Sequence, residues 1–257
     1  MKEYFAISDI HGFYKEMRLA LYRAGYRKTN PNHVLIVCGD IFDRGPDSPK
    51  VYKYLRSIPK SRRVLIRGNH EFLLRDMVNR GYAESHDISN GTIDTVAQFL
   101  DANPERDDPG KLWYENFENL GILRWIFGKE WVNYYELGDY IFVHSWIPVD
   151  THIPFPLYNI GNYSLFTFDE TWRDASMEEW EDATWGCPIK MYAHGLRPEG
   201  KTIVCGHWGT SDFHRYFNRD KDPLAPTSHR TYVGDGLIGL DATTAISGFC
   251  NVYKITL

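Results

Sequence analysis

Short apolar runs that end in polar, metal-binding residue types recur along this chain, and they constrain its fold more than any other feature. Three of them come early, at residues 3–8, 34–38 and 64–66. A segment with the helical spacing of apolar residues follows each one. Strands that alternate with helices predict βαβ units and a partly parallel sheet. The chain is therefore predicted to have an α/β fold.

The second half of the chain has a less regular pattern. We predict helices at 92–100 and 112–126, a hairpin of strands 131–137 and 140–144 around Gly138-Asp139, and strands at 202–205, 237–240 and 248–255. Five prolines within residues 146–200 indicate irregular structure there. Since no repeat, low-complexity tract or linker is visible, residues 1–257 are predicted to form a single domain. Within it, residues 151–200 would be an aromatic- and proline-rich insert that borders the site.

Side chains of the types that bind metal ions follow five of the predicted strands. They are Asp9 and His11, Asp40, Asn69, His144, and His207. Because ligand sites form at the carboxyl ends of strands in open α/β sheets, we expect these side chains to meet at one edge. Imidazole and carboxylate groups suit Mn, Fe and Zn ions. Six side chains are too many for one catalytic ion with open positions, but they fit two ions that share a bridging aspartate.

The motifs DIHG, GDIFDRG and GNHE, followed by two isolated histidines, resemble those of the phosphoprotein phosphatase family of calcineurin-like metallophosphoesterases. That family includes bacterial and phage Ser/Thr/Tyr protein phosphatases and symmetrical diadenosine tetraphosphate hydrolases. The motifs extend from residue 9 to residue 207, and LDATTAISGFCNVY resembles the family's closing strand pair. The resemblance implies a β-sandwich of mixed sheets flanked by helices, with the active site at the carboxyl ends of the strands.

The resemblance also implies a ligand set for each of two metal ions. Asp9, His11 and Asp40 would hold one ion, and Asp40, Asn69, His144 and His207 would hold the other, with Asp40 bridging. The expected ions are Mn²⁺, with Fe, Zn or Ni as alternatives. A hydroxide that bridges the two ions would then attack phosphorus in line.

Three further residues receive catalytic roles from the resemblance. His70 would protonate the leaving oxygen as a general acid, Asp43 would orient His70, and Arg44 would bind phosphate oxygens. The family usually has a second phosphate-binding arginine, but residues 183–188 contain none. Arg173 or Arg197 could take that role, and the sequence does not choose between them.

These features predict an enzyme, a metal-dependent phosphoric ester hydrolase that acts on phosphorylated Ser, Thr or Tyr side chains or on small phosphoesters. The aromatic residues between 151 and 185 leave an alternative open, because they could stack on the bases of a dinucleoside polyphosphate or simply pack in the core. A phosphodiesterase acting on cyclic or terminal nucleotide phosphates is a further alternative. A non-catalytic scaffold is less favoured, since no motif ligand is missing.

Composition excludes several other classes of protein. A formal net charge of −5 gives no basic surface for stable binding to duplex nucleic acid. No apolar run approaches the roughly 20 residues that span a bilayer, and MKEYFAISDIHG leads directly into the first motif, so we expect no removable leader. The four cysteines show no CxxC spacing and are expected to be reduced. We therefore predict a cytoplasmic protein, with its oligomeric state left open.

Overall fold

Two sheets form the centre of the fold. The computed structural model describes residues 1–102, 121–150, 163–218 and 228–256. The strands in these ranges are β1 (Glu3–Ile7), β2 (His33–Cys38), β3 (Arg63–Ile66), β4 (Trp131–Val132), β5 (Tyr135–Leu137), β6 (Tyr140–Phe142), β7 (Thr202–Cys205), β8 (Tyr232–Gly234), β9 (Leu237–Gly239) and β10 (Tyr253–Thr256). The first sheet has the order β10-β1-β2-β3-β4, and the second has the order β5-β6-β7-β9-β8.

Helices connect and cover these strands. They are α1 (Tyr14–Arg23), α2 (Ser48–Arg56), α3 (Asn69–Arg80), α4 (Ser85–Asn90), α5 (Thr92–Leu100), α6 (Ile122–Ile126), α7 (Met177–Ala183), α8 (Pro188–Ala193), α9 (Thr210–Asn218) and α10 (Thr244–Ser247). Gly25 lies just after α1 with a φ of 91°, a left-handed conformation that commonly ends a helix. In the part of the chain that the structure describes, no helix is both long enough and apolar enough to cross a membrane.

Both sheets are mixed. Strands β1 to β4 are parallel to one another and β10 is antiparallel to β1. In the second sheet β6, β7 and β9 are parallel, while β5 and β8 lie antiparallel at its two edges. Buried side chains from both sheets pack together between them, including Ile36 and Ile66 from the first and Phe142 and Val204 from the second. The predicted β-sandwich of mixed sheets flanked by helices is confirmed.

Several predicted boundaries in the second half were wrong. Residues 131–137 are not one strand, because β4 pairs with β3 in the first sheet whereas β5 pairs with β6 in the second. Residues 146–200 are not irregular throughout, since they contain α7 and α8. Residues 248–255 contribute strand only from Tyr253 onward. Of the predicted helix 112–126, residues 122–126 form α6, and the part before residue 121 lies outside the described residues.

Aromatic side chains from the insert pack against the outer face of the second sheet, in a cluster that we call the second core. Its buried members include Trp146, Tyr163, Phe166, Trp172, Trp180 and Phe213. The Trp180 ring stacks on Tyr134 with centroids 5.2 Å apart. The packing interpretation therefore holds for Trp172 and Trp180, whereas residues 151–162 of the insert lie outside the described residues.

Candidate metal centre

Five loops that follow parallel strands meet at one edge of the sandwich. Backbone hydrogen bonds tie neighbouring loops together: the Asp9 amide donates to Gly39 O at 3.2 Å, and the His11 amide donates to Asp40 O at 2.9 Å. Across the two sheets, a Cβ at position 39 would lie 2.5 Å from His144 Nδ1, so only glycine fits between these loops. The predicted meeting of polar side chains at this edge therefore occurs.

The backbone of these loops is unusual. Six of the eight non-glycine residues with positive φ in the described ranges are predicted site residues, with φ between 47° and 71°. They are Asp9, His11, Asp40, Asp43, Arg44 and His207. Non-glycine residues adopt this left-handed conformation rarely, and strained backbone tends to cluster at functional sites. The local conformation of this edge therefore serves the placement of side chains more than backbone stability.

Asp40 lies between two groups of side chains that could each hold a metal ion. Its Oδ2 atom is 3.7 Å from His11 Nε2 and 3.8 Å from His70 Nε2. Its Oδ1 atom is 3.4 Å from His144 Nε2, and His207 completes that second group. The two carboxylate oxygens thus face different groups, which is the arrangement that a bridging carboxylate requires.

The histidines are oriented by hydrogen bonds on the sides of their rings that face away from Asp40. His11 Nδ1 donates to Phe42 O at 2.9 Å, and His144 Nδ1 donates to Cys38 O at 3.0 Å. Because a carbonyl oxygen can only accept, each Nδ1 carries the proton and each Nε2 presents a lone pair to the cluster. A histidine whose second nitrogen is held in this way is the usual form of a metal ligand.

Several potential ligand atoms lie close together in this cluster. His144 Nε2 lies 2.9 Å from Asn69 Oδ1 and 3.3 Å from His207 Nδ1. On the other side, the guanidinium of Arg44 lies 3.0 Å from His11 Nε2 and 3.1 Å from His70 Nε2, so a cationic group already occupies the position facing these nitrogens. Such a donor set fits divalent cations that prefer imidazole and oxygen ligands.

Burial sets the charge of the cluster. It lowers the pKa of His144 to about 3 and also lowers the pKa values of His11 and His207. These rings are therefore neutral near pH 7, as metal ligands must be. Burial raises the pKa of Asp40, and the neighbouring Asp9 carboxylate raises it further. Cations bound at this edge would favour the ionised carboxylate and so offset the cost of burying its charge.

Asp43 and His70 form a buried pair beside the first group. His70 Nδ1 donates to Asp43 Oδ2 at 2.7 Å, and both side chains are almost fully buried. The Nε2 atom of His70 faces Arg44. The pair therefore has the geometry in which a carboxylate orients an imidazole toward a reacting group.

Two predicted residues lie differently from the simplest expectation. Asp9 is buried and accepts the His207 amide at 3.1 and 3.2 Å, but it belongs to neither group of three potential ligands around Asp40, and His70 stands in the first group instead. Arg173 binds both carboxylate oxygens of Glu136, at 2.6 and 3.1 Å. The contacts described for Arg173 therefore include no residue of the cluster.

Glu71 is a buried residue of this edge whose role the sequence analysis missed. Its carboxylate accepts the backbone amides of Asp40, Ile41 and Gly68, at 2.9, 3.0 and 2.7 Å. Burial raises its pKa to about 7. Glu71 thus joins the loops after β2 and β3. Its place in GNHE, directly after His70, was the available signal.

The chain is similar in sequence to curated proteins over part of its length. A symmetrical bis(5′-nucleosyl)-tetraphosphatase of Buchnera aphidicola subsp. Acyrthosiphon pisum is 45% identical over 74 residues, which are 29% of this chain and 26% of that protein. The asymmetrical bis(5′-nucleosyl)-tetraphosphatase PrpE of Oceanobacillus iheyensis is 33% identical over 110 residues, 40% of this chain and 42% of that protein. The chain thus spans less than half the length of either relative.

A solved structure shares the fold. A crystal structure of a protein provisionally named a diadenosine tetraphosphatase matches with a TM-score of 0.50 and 16% identity, covering 99% of this chain and 93% of that chain. The model of the calcineurin-like phosphoesterase family matches residues 4–225, which include all five strand-end motifs. The predicted family is thereby confirmed, and the class of enzyme predicted from the motifs agrees with it: this chain belongs to the calcineurin-like phosphoesterase family.

Proposed function

We propose that this protein hydrolyses phosphoric esters with the help of two divalent metal ions. The observation that carries the proposal is the position of Asp40, whose two oxygens face two separate groups of potential ligands. The proposed ligands are Asp9, His11 and Asp40 for one ion, and Asp40, Asn69, His144 and His207 for the other. Mn²⁺ is the expected ion, and Fe, Zn and Ni are alternatives that suit the same donors.

The residues of the chain would divide the remaining work. Bound ions supply Lewis acidity and an activated water for attack on phosphorus. Arg44 would leave the two histidine nitrogens and donate to two oxygens of the phosphoryl group, since its planar fork matches that geometry. His70 would protonate the leaving oxygen from Nε2 while Nδ1 stays bonded to Asp43.

The single basic side chain described at the site favours phosphomonoesters, including phosphorylated proteins, as substrates. Of the arginines and lysines in the described ranges, Arg44 hydrogen-bonds to two histidines of the cluster, His11 and His70. One guanidinium suits one phosphoryl group, whereas a chain of four phosphates carries more negative charge. Arg173 remains a proposed second phosphate-binding residue only if it leaves Glu136.

Dinucleoside polyphosphates are the second candidate substrates. Two curated relatives are named bis(5′-nucleosyl)-tetraphosphatases. Next to His207, Trp208 is 39% exposed, and the Trp185 ring lies edge-on to the His207 ring with centroids 6.1 Å apart. The exposed indole ring of Trp208, with the partly buried Trp185 nearby, could stack on a base.

The proposed activity is tested by adding metal ions to the purified chelated protein and measuring hydrolysis of p-nitrophenyl phosphate. We expect Mn²⁺ to restore turnover by at least about 100-fold, because the ions supply both the Lewis acid and the nucleophile. We also expect Tm to rise by about 5–10 °C at saturating metal, since ligands that bind only the folded state stabilise it. No turnover with Mn, Fe, Zn or Ni would contradict the proposal.

A substrate panel separates the two candidate classes. Phosphopeptides, diadenosine tetraphosphate and 2′,3′-cyclic nucleotides would be compared on one metal-loaded preparation. Faster hydrolysis of the phosphopeptide would support the phosphomonoester assignment, and faster hydrolysis of the dinucleotide would replace it. A phosphorylated protein or small phosphoester as partner, and a cytoplasmic location, remain predictions.

A further inference from the structure

The beginning of α5 packs against the loop that carries Asp43 and Arg44. These two residues are consecutive and both left-handed, with φ of 71° and 63°. Directly before α5, a Cβ at Gly91 would come within 2.7 Å of the Arg44 backbone nitrogen. The helix therefore meets the loop at its most strained point, and Gly91 permits this close approach.

Two threonines of α5 hydrogen-bond to both carboxylate oxygens of Asp43. Thr92 Oγ1 donates to Oδ2 at 2.9 Å, and Thr95 Oγ1 donates to Oδ1 at 2.7 Å. Thr95 Oγ1 also accepts the Asp43 amide at 2.9 Å. All three side chains are 0% exposed, so water does not reach these atoms to replace a lost hydroxyl. Together with His70 Nδ1, the threonines fix the plane of the carboxylate.

Gln98 extends the same contact along the loop. Its Nε2 atom donates to Gly45 O at 2.9 Å, and its Oε1 atom accepts the Ser48 amide at 2.9 Å. Residues three apart lie on one side of a helix, so Thr92, Thr95 and Gln98 form a single polar face. This face holds the chain on both sides of Arg44.

We propose that Thr92 and Thr95 are positioning residues for the general acid His70. This inference rests on the proposed function, in which His70 transfers the proton on Nε2 to the leaving oxygen as the P–O bond breaks and its electron pair goes to that oxygen. The threonines hold Asp43 so that Oδ2 faces His70 Nδ1, and Asp43 in turn orients the ring. Without the Thr95 hydroxyl, Oδ1 of Asp43 loses its side-chain donor and the carboxylate can rotate away from the ring. Without the Thr92 hydroxyl, Oδ2 keeps only His70 Nδ1 as a side-chain donor.

The substitution Thr95→Val tests this inference because it removes the hydroxyl and keeps the shape of the side chain. We expect kcat to fall about 10- to 50-fold for an alkyl phosphate and less than about 3-fold for p-nitrophenyl phosphate, whose leaving group needs no proton. Thr95→Ser should restore the alkyl phosphate rate to within about 3-fold. The matched control is Thr210→Val, because Thr210 is 0% exposed and its hydroxyl has no partner in the described structure.

A second measurement does not depend on activity. In the metal-free protein, the proton on His70 Nδ1 should give a downfield ¹H NMR resonance that Thr95→Val shifts or broadens and that Thr210→Val leaves in place. An unchanged resonance would overturn the inference. An unchanged ratio of the two kcat values, or equal losses on both substrates without rescue by Thr95→Ser, would do the same.

The outcomes also separate this inference from the proposed function. A wild-type protein without phosphoesterase activity contradicts the proposed function, and the NMR comparison then decides whether the threonines hold Asp43. An active wild type with an unaffected Thr95→Val variant contradicts only the positioning role. If Thr95→Val does not fold, Thr92→Val is judged by the same ratio and the same resonance, with metal content measured in every variant.

Discussion

The loops of the candidate metal centre and the second core are held together by different interactions. The loops rely on hydrogen bonds between side chains and backbone, as in the three amides bound by Glu71, and on residues with left-handed backbone. The second core relies on packed rings such as Trp172 and Trp180, whose centroids lie 5.9 Å apart. A loop held by specific hydrogen bonds and left-handed backbone tolerates few side chains at each position. A packed core accepts substitutions that keep the volume of the original side chain.

This difference predicts that substitutions in the loops change chemistry, while substitutions in the second core change stability. The largest effect should come from Asp40→Asn, because the amide has no charge and offers only one metal-binding oxygen. We expect kcat to fall by about 10³-fold or more, with weaker binding of both ions. Metal content after dialysis and p-nitrophenyl phosphate hydrolysis measure this.

Asp47→Asn is the matched control for that experiment. Asp47 lies in the same loop and pairs with Lys50 at the surface, with 2.5 Å between the charged atoms. It should keep wild-type metal content and rate. An Asp40→Asn variant that retains both ions at wild-type affinity would show that Asp40 does not bridge, and the comparison of the two regions would lose its chemical basis.

A smaller and more selective effect is expected for His70→Asn. Metal content should stay close to wild type, and kcat should fall by about 10²-fold or more for an alkyl phosphate but by less than about 10-fold for p-nitrophenyl phosphate. Rates across a series of leaving groups measure this selectivity. Equal losses for both substrates would count against a general acid. The control is His86→Asn in α4, where the histidine side chain is 43% exposed.

The smallest effect on activity is expected for Trp172→Phe in the second core. The variant should lose about 1–2 kcal/mol of unfolding free energy, because a ring is replaced by a smaller one. Its indole nitrogen has no hydrogen-bond partner in the described structure, so no bond is lost. Activity below the unfolding transition should stay within about 2-fold of wild type. A loss of activity greater than 10-fold below the unfolding transition would show that the second core also contributes to catalysis.

The sequence was most informative where one short segment determines both conformation and chemistry. Runs such as VLIVCGD place an apolar strand directly before Asp40 and need no distant partner to be recognised. Strands β1, β2 and β3 were therefore predicted almost residue by residue. The meeting of Asp9, His144 and His207 at one edge also followed, since parallel strands end on the same side.

Features that depend on distant pairing were not predictable. The run from Trp131 to Leu137 reads as one strand, because the pattern does not show that its two ends join different sheets. The support of Asp43 by Thr95 spans 52 positions, and two threonines on a helix carry no signal of their own. The helices of the insert are short, seven residues in α7 and six in α8, and packing rather than propensity stabilises them.

The six left-handed residues of the candidate metal centre also bear on how this protein can evolve. Each such residue is less stable than ordinary backbone by about 1 kcal/mol, so together they approach the net stability of a typical domain. Glycine at these positions would relax the backbone but remove the side chain, and selection for thermostability alone would therefore oppose selection for turnover. In directed evolution toward new substrates, stabilising substitutions far from this edge should come first. They raise the free energy of unfolding, which mutations near Asp43 and Arg44 are expected to lower.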